Sequence, residues 1–458
     1  MVFIIWFVPL AWVQKPLVYA SDSQSTINSV FVIGDLHGDA YCGHHWVKQT
    51  KLIANLGSLP YKATDVIWNY NTNNATKSII EASKHWEWND PTTGLVFLGD
   101  YIDKGPTSMA TLTLVKRLTE RFPQYVTALL GNHEMELLLD RDTTGTRKWG
   151  DDGALYFQMG YSATHPRDYL DYMPSELHNA SLDGWVMQAL YNASIEVYAR
   201  NMEHSIRMAP LSNPQSAIRL LDHLSAEEQQ KVSDRLALYQ DHYLNSFKSD
   251  TDLGKWLETR PLVHVASQIQ TLFVHGGLRN HPYIHDLLKS GSVADIANIN
   301  QVLANHISPD KLAKFMTEQM EGIVLYDMLV FRGNHGPTGC QELKATFATL
   351  HKTNQTTPPI KRLAVGHTPY DDIQINCEGQ FLALDSALGR WIRALGNDYC
   401  PGDQIYASKD SKYKCHKIET TCQGQIVRLY TGDKLEVLNA SGKIIKDHSL
   451  AASFSDEL

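Results

Sequence analysis

The 458-residue chain has no internal run of the roughly twenty apolar residues that a helix needs to cross a bilayer. The apolar stretch at its start, Met1 to Val13, is also short for a span, which makes a permanent membrane helix a weaker reading than a signal or signal-anchor. Nor does positive charge dominate: 41 basic residues face 50 acidic ones, a net charge of −9, so no sequence-wide field draws nucleic acid. Cysteine is scarce, with six residues, and no two stand at the close CxxC spacing of a thiolate zinc site. No internal repeat is visible. What remains is a globular composition, 43% hydrophobic and 20% charged, with enough apolar material for a large core and too little bias for disorder.

The two ends of the chain point to a compartment. Met1 to Val13 is apolar and uncharged, Lys15-Pro16 follows, and Val18-Tyr19-Ala20 offers a small residue for cleavage, so residues 1–20 read as a signal peptide. A basic residue before the apolar run is missing from that pattern. The chain closes on Ser455-Asp456-Glu457-Leu458, which resembles the KDEL-type retrieval signal of the endoplasmic reticulum. The lumen of that organelle is the expectation, with periplasm or secretion as the alternative. Six cysteines, Cys42, Cys340, Cys377, Cys400, Cys415 and Cys422, then read as disulfides in the C-terminal part, with connectivity left open. Sequons at Asn74, Asn179, Asn192, Asn354 and Asn439 fit a glycoprotein.

One pattern recurs through the chain: a short apolar run with strand character, followed at once by a turn that carries Asp, His or Asn. Val30–Ile33 leads into Gly34-Asp35-Leu36-His37-Gly38, and Leu95–Leu98 into Gly99-Asp100-Tyr101-Ile102-Asp103-Lys104-Gly105. Tyr125–Leu130 leads into Gly131-Asn132-His133-Glu134, and Thr271–Val274 into His275-Gly276-Gly277. Leu363–Val365 precedes Gly366-His367-Thr368, and Phe381–Leu384 precedes Asp385-Ser386. In an α/β protein such strand ends gather along one edge of a sheet.

Carboxylates, an amide oxygen and imidazoles without a thiolate suit hard or borderline divalent ions. Two ions about 3.5 to 4 Å apart need a bridging ligand, which a carboxylate provides, and together they clamp a phosphoryl group. Each residue also has a plain structural reading. An Asp before a turn is usually a cap, a buried His is usually a satisfied core residue, and Asp385 either orients a ligand or caps its turn. The joint pattern outweighs these.

Gly-Asp-Leu-His-Gly, Gly-Asp-Tyr-Ile-Asp-Lys-Gly and Gly-Asn-His-Glu resemble the three signature blocks of the calcineurin-like metallophosphoesterases, in the form of the phosphoprotein phosphatase branch. Signal peptide, long insertion, Leu329-Val330-Phe331-Arg332-Gly333 and the late Gly-His-Thr block are most similar to the Shewanella-like protein phosphatases. The resemblance implies an α/β fold, a sandwich of two β-sheets flanked by helices with a helical insertion. It implies Asp35 and His37 on a first metal, Asp100 as the bridge, and Asn132, His275 and His367 on a second. His133 is the implied general acid, oriented by Asp103. Arg332 is the implied phosphate-binding arginine. Lys104 stands where the family usually has Arg, keeping the charge and losing the planar fork, and is a second phosphate-binding candidate. The cofactors implied are two divalent ions, Mn²⁺, Fe²⁺/Fe³⁺ or Zn²⁺.

The organisation expected is a signal peptide at 1–20, a catalytic domain at 28–390 and a β-rich, cysteine-containing extension at 391–458. A helical insertion at 140–260 interrupts the catalytic domain as a cap. Within it Ser225-Ala226-Glu227-Glu228 reads as a capping box, with Val232, Leu236, Tyr239, Tyr243 and Phe247 following at helical spacing. Residues 61–94 read as loop or edge structure. Ser308-Pro309 opens a helix whose apolar face is Leu312, Phe315, Met316 and Met320.

The function expected is an exported two-metal phosphatase attacking phosphomonoesters with metal-activated water, on phosphoprotein or phosphopeptide substrates and not on nucleic acid. Hydrolysis of nucleotides or dinucleoside polyphosphates is the alternative within the same chemistry. A metal-containing luminal binding protein is the alternative without catalysis.

Overall fold

The computed structural model describes residues 27–60, 73–141, 164, 167–187, 189, 224–287, 293–352, 360–395 and 420–449. The expected signal peptide, the terminal Ser455–Leu458, Cys400, Cys415 and the sequons at Asn192 and Asn354 lie outside the described residues. In chain order the strands are β1 (Ser29–Ile33), β2 (Ile53–Ala54), β3 (Glu87–Trp88), β4 (Thr93–Phe97), β5 (Val126–Ala128), β6 (Val263–Ala266) and β7 (Thr271–Val274). There follow β8 (Arg362–Val365), β9 (Gln374–Asn376), β10 (Phe381–Ala383), β11 (Gln425–Tyr430), β12 (Lys434–Asn439) and β13 (Ile444–Ser449). Each apolar run that precedes a ligand-type residue is a strand: β1, β4, β5, β7, β8 and β10.

These strands form two main sheets. The first has the order β13-β12-β11-β1-β4-β5, with β1, β4 and β5 parallel. The second has the order β6-β7-β8-β10-β9, in which β7, β8 and β10 are parallel and the two outer strands run against them. Successive strand residues point to opposite faces, and this period sorts the core into layers. Val30, Val32 and Val96 from the first sheet meet Phe273, Ala364 and Leu382 from the second in one buried cluster. The residues between them, Phe31, Ile33, Leu95, Phe97, Leu272, Val274, Leu363 and Val365, face outward into a second cluster shared with the helices. Strands covered on both faces carry no polar alternation, so they read as continuous apolar runs. The product is the α/β sandwich, two sheets with helices outside, that the motifs imply.

The described end of the chain enters this core. β11 pairs antiparallel with β1, placing Tyr430 opposite Ser29, and Val427, Leu429, Leu435 and Val437 join the layer between the sheets. Cys42, on the helix Ala40–Thr50, is bonded to Cys422 just before β11, 380 residues away. Closing a loop that long removes about 6 kcal/mol of unfolded-chain entropy in the chain-entropy account. A second disulfide joins Cys340 to Cys377. The bridges are therefore not confined to the C-terminal part as expected: Cys422 reaches Cys42 because the sheet order sets β11 beside β1, whereas Cys340–Cys377 spans 37 residues. Buried Arg390 and Asp39 add a clamp between the same regions, with Nε to Oδ2 and Nη2 to Oδ1 both at 2.8 Å.

Three local expectations are corrected. Residues 61–94 are not all loop or edge: Asn73–Ser83 is a helix, and Ala75 and Ile79, one turn apart, are its buried face. The polar majority of that stretch hid a stripe only two residues long. The helix Ala226–Asn245 buries Val232, Leu236, Tyr239 and Tyr243 and is opened by the Ser225–Glu228 capping box, but it ends before Phe247, which packs from the turn beyond. Met320 does not continue the face of the helix Pro309–Glu318. It opens the next helix, Met320–Val330, and is 59% exposed, because the chain breaks helical geometry at Gln319. No helix among the described residues is long and apolar enough to cross a membrane.

Candidate metal centre

The carboxyl ends of the parallel strands share one edge of the sandwich, and the loops that leave them converge there. Asp35 and His37 follow β1, Asp100, Asp103 and Lys104 follow β4, and Asn132 and His133 follow β5. His275, His367 and Asp385 follow β7, β8 and β10 of the other sheet. The carboxylate of Asp100 sits at the centre. Its Oδ2 is 3.6 Å from His37 Nε2 and 3.8 Å from His133 Nε2, while Oδ1 is 3.2 Å from His275 Nε2. Burial opposes a charge there, but His275, His133 and His37 outweigh it and hold Asp100 well below the usual carboxylate range.

Carbonyl oxygens fix which imidazole nitrogens carry protons, since a carbonyl only accepts. Nδ1 of His275 faces the carbonyl of Leu98 at 2.8 Å, and Nδ1 of His37 faces that of Ile102 at 3.2 Å. Both nitrogens are therefore donors, and both Nε2 atoms turn inward toward Asp100. Around His275 Nε2 stand Asn132 Oδ1 at 3.1 Å and Asp100 Oδ1 at 3.2 Å, and Asn132 Oδ1 is 2.8 Å from His367 Nδ1. An amide oxygen, a carboxylate oxygen and two ring nitrogens converging in this way are a donor set for a cation. Burial, then His275 and Arg332, push His367 down to about 2, so its ring is neutral and able to ligate.

The other side of Asp100 offers Asp35 and His37. Asp35 Oδ2 lies 3.9 Å from His37 Nε2 and accepts the His367 backbone N–H at 3.0 Å. Asp35 Oδ1 and Asp385 Oδ2 are buried with no hydrogen-bond partner. Burial, then the carboxyls of Asp385 and Asp100, push Asp35 well above the carboxylate range, and burial raises Asp385 as well. Acids crowded together with an orphaned oxygen fit a site that takes a positive ion. Two donor groups meet at Asp100, one of His37, Asp100 and His133 and one of Asp100, His275 and His367. With Asp35 Oδ2 3.9 Å from His37 Nε2 on the first side and Asn132 Oδ1 between His275 and His367 on the second, the residues present fit two divalent ions.

His133 has a different partner. Its Nδ1 is 2.6 Å from Asp103 Oδ2, and Thr164 Oγ donates to the other oxygen of Asp103 at 2.8 Å. Burial opposes a charged ring, yet Asp100 and Asp103 prevail and raise His133 above its ordinary value. An imidazolium so held can give up a proton from Nε2. A small pocket opens beside this pair, walled by Thr164, Tyr169, Gln240 and Tyr243.

Strained backbone holds the loops in place. His37, Asp100, Asp103, Lys104 and His367 all have left-handed φ, between 45° and 67°, a region that non-glycine residues avoid. Glu134 offsets part of that strain. Its buried carboxylate accepts the backbone N–H groups of Asp100 at 2.8 Å, Tyr101 at 2.7 Å, Ile102 at 3.3 Å and Gly131 at 3.0 Å. Burial, then Asp100, push Glu134 up to about 7. The loops also touch backbone to backbone at Gly99, whose added Cβ would lie 2.5 Å from Gly131 N.

The structure therefore gathers Asp35, His37, Asp100, Asp103, Lys104, Asn132, His133, His275 and His367. Lys104 is partly buried, with Nζ 3.0 Å from His37 Nε2, and burial lowers its pKa. Arg332 stays at the exposed rim, Nη1 donating to Thr368 Oγ1 at 3.0 Å. Residue types and spacing left three participants without a firm role. Glu134 had a signal, an acidic residue at the third position of the helix Asn132–Asp140. Asp385 had one in its strand-end position. Thr164, far from any motif, had none.

Residues 29–207 match the family model for calcineurin-like phosphoesterase. The chain carries a calcineurin-like phosphoesterase domain, and with the donor groups around Asp100 this makes it a metal-dependent phosphoesterase, a hydrolase. His275, His367 and Asp385 lie beyond the matched residues, and the second sheet delivers them to the same edge. Among solved structures, a cold-active protein tyrosine phosphatase of a psychrophilic Shewanella species is similar over 93% of this chain and 80% of its own, at 14% identity and a TM-score of 0.45. A second structure of a cold-active protein tyrosine phosphatase is similar over 92% and 78%, at 14% identity and 0.47. A protein serine/threonine phosphatase from Saccharomyces cerevisiae is similar over 90% and 75%, at 13% identity and 0.37. These likenesses are weak, and the substrates in those names belong to those proteins.

Proposed function

We propose that the protein is an exported phosphatase that hydrolyses phosphomonoesters on phosphoproteins. The observation that carries the reading is the position of Asp100, shared between two donor groups and 3.8 Å from the nitrogen of a histidine held by its own carboxylate. In this reading Asp35, His37 and Asp100 hold one ion, and Asp100, Asn132, His275 and His367 hold the other. When bound, such a pair supplies Lewis acidity and an activated water at neutral pH. His133 gives its Nε2 proton to the departing alkoxide or phenoxide oxygen, and Asp103 keeps the ring aligned and charged until it does. Arg332 at the rim meets phosphoryl oxygens with its planar fork, and Lys104 adds charge from within. The protein-substrate part is supported by the form of the three motif blocks around Asp35, Asp100 and Asn132. The insertion at 140–260 belongs to the same proposal as a cap, supported by the pocket that Tyr169, Gln240 and Tyr243 share with Asp103 and His133. The Cys42–Cys422 and Cys340–Cys377 bridges support an oxidising compartment such as the lumen of the endoplasmic reticulum.

The test is phosphate release from a phosphopeptide library in parallel with nucleotides and dinucleoside polyphosphates, with metal content measured on the same preparation. Metal-dependent release from peptides, lost in His133→Ala, is expected. Release from nucleotides alone would move the substrate class, and bound metal without any turnover would leave a binding protein.

A further inference from the structure

Lys104 lies deeper than a rim cation. Left-handed backbone at Asp103 and Lys104, with φ of 67° and 64°, folds the loop back until Gly105 N–H donates to the His37 carbonyl at 3.0 Å. This delivers Lys104 Nζ to within 3.0 Å of His37 Nε2. Since Nδ1 of that ring faces the Ile102 carbonyl, Nε2 holds the lone pair that a metal ion at the first position needs. The ammonium also feels the carboxylates of Asp100, Asp35 and Asp385. The second position is built otherwise. Among the described residues the side-chain hydrogen-bond partners of His275, His367 and Asn132 there are one another, the Leu98 carbonyl and Asp100; Arg332 acts on His367 only through its charge, its Nη1 donating to Thr368 Oγ1.

Resting on the two-metal reading, we propose that Lys104 is a tethered competitor of the ion at the first position. One lone pair cannot serve an ammonium and a divalent ion together, so an ion reaching His37 displaces Lys104 from it. The second position, which has no such competitor, fills first. The first fills only at higher metal concentration, and the released ammonium is then available to phosphoryl oxygens. Metal supply thereby becomes a graded control on the site, set by one side chain.

The experiment is a Mn²⁺ titration of the full-length protein after chelator treatment, followed by calorimetry and by electron paramagnetic resonance, which separates isolated from coupled Mn²⁺ without any turnover. The wild-type protein should show two classes of site, with isolated Mn²⁺ first and coupled pairs only as the weaker class fills. Lys104→Gln should tighten that weaker class by about tenfold, the lower end of the scale on which groups beside metal ligands change affinity, here with the opposite sign because the ammonium opposes the ion. Equal affinities in the wild-type protein overturn the inference without any variant, and so does an unchanged weak class in a folded Lys104→Gln protein. Absence of Mn²⁺ binding to the wild-type protein would instead sink the two-metal reading on which it rests.

Discussion

The first sheet builds its half of the site from three loops that lock one another, whereas the second sheet contributes single side chains from separate strand ends. Glu134 and the backbone contact of Gly99 with Gly131 fix the loop of Asp100 to Lys104 against Asn132 and His133, and the loop of Asp35 and His37 is tied on by the Leu36 and His37 N–H groups, which donate to the Asp100 carbonyl at 3.1 and 2.9 Å. The loops of His275 and His367 are held differently: Gly276 and Gly277 donate to the Met328 carbonyl at 2.9 and 3.1 Å, and Gly366 donates to the His275 carbonyl at 2.8 Å. His275 is oriented by the carbonyl of Leu98, and the backbone of His367 by the carboxylate of Asp35, both from the first half. The shared carboxylate and the proton-donating pair thus reside in the loops that Glu134 ties together, and His275 and His367 are aligned against them. A site divided in this way should respond unequally to damage on its two sides.

The largest effect is expected where the halves meet. Asp100→Asn removes the one carboxylate common to both donor groups, so kcat/KM should fall by at least about a thousandfold and metal content should drop at both positions. Retention of one full equivalent of metal with a tenth of the activity would show that the halves are independent.

A smaller and more selective loss should follow damage within the first half. Asp103→Asn leaves His133 without its orienting charge, at a cost of about a hundredfold on alkyl phosphates, within the usual range for general acids. The cost should be far smaller on p-nitrophenyl phosphate, whose leaving group needs little protonation. The pH dependence has a definite sign. Asp100 and Asp103 raise His133, so activity should decline as pH climbs through that raised value and the proton is lost. Removing Asp103 lowers the value, and the decline should move to lower pH. An unmoved alkaline limb in the variant would take the acid role away from His133.

The smallest effect concerns the lock itself. Glu134→Gln replaces an oxygen that accepts backbone N–H groups with an amide that cannot accept on its nitrogen. One or more donors are left buried and unsatisfied, at a cost of about 1 to 3 kcal/mol of stability read from denaturant midpoints. If the first half is the constrained one, this variant should also weaken its activity more than its fold; an unchanged midpoint would show the lock to be dispensable.

Much of this construction is legible before any folding is considered. The runs before Asp35, Asp100, Asn132, His275, His367 and Asp385 are strands because sheets buried on both faces need uninterrupted apolar residues. The glycines beside them mark where loops turn sharply or touch. The stretch at 61–94 was less legible, because the buried face of Asn73–Ser83 rests on Ala75 and Ile79 amid polar neighbours. Met320 misled for a related reason: helical spacing continues across Gln319 although the helix does not.

The sequence by itself determined the chemistry, since residue type decides which atoms can ligate, donate or hold a phosphate, and short-range spacing places them after strands. Only the tertiary structure decided which of those atoms face one another. Asp35 meets the backbone of His367 across 332 residues, Cys42 meets Cys422 across 380, and Lys104 rather than a solvent-facing cation meets His37. Contacts of that length depend on sheet order and loop packing, which no local pattern encodes.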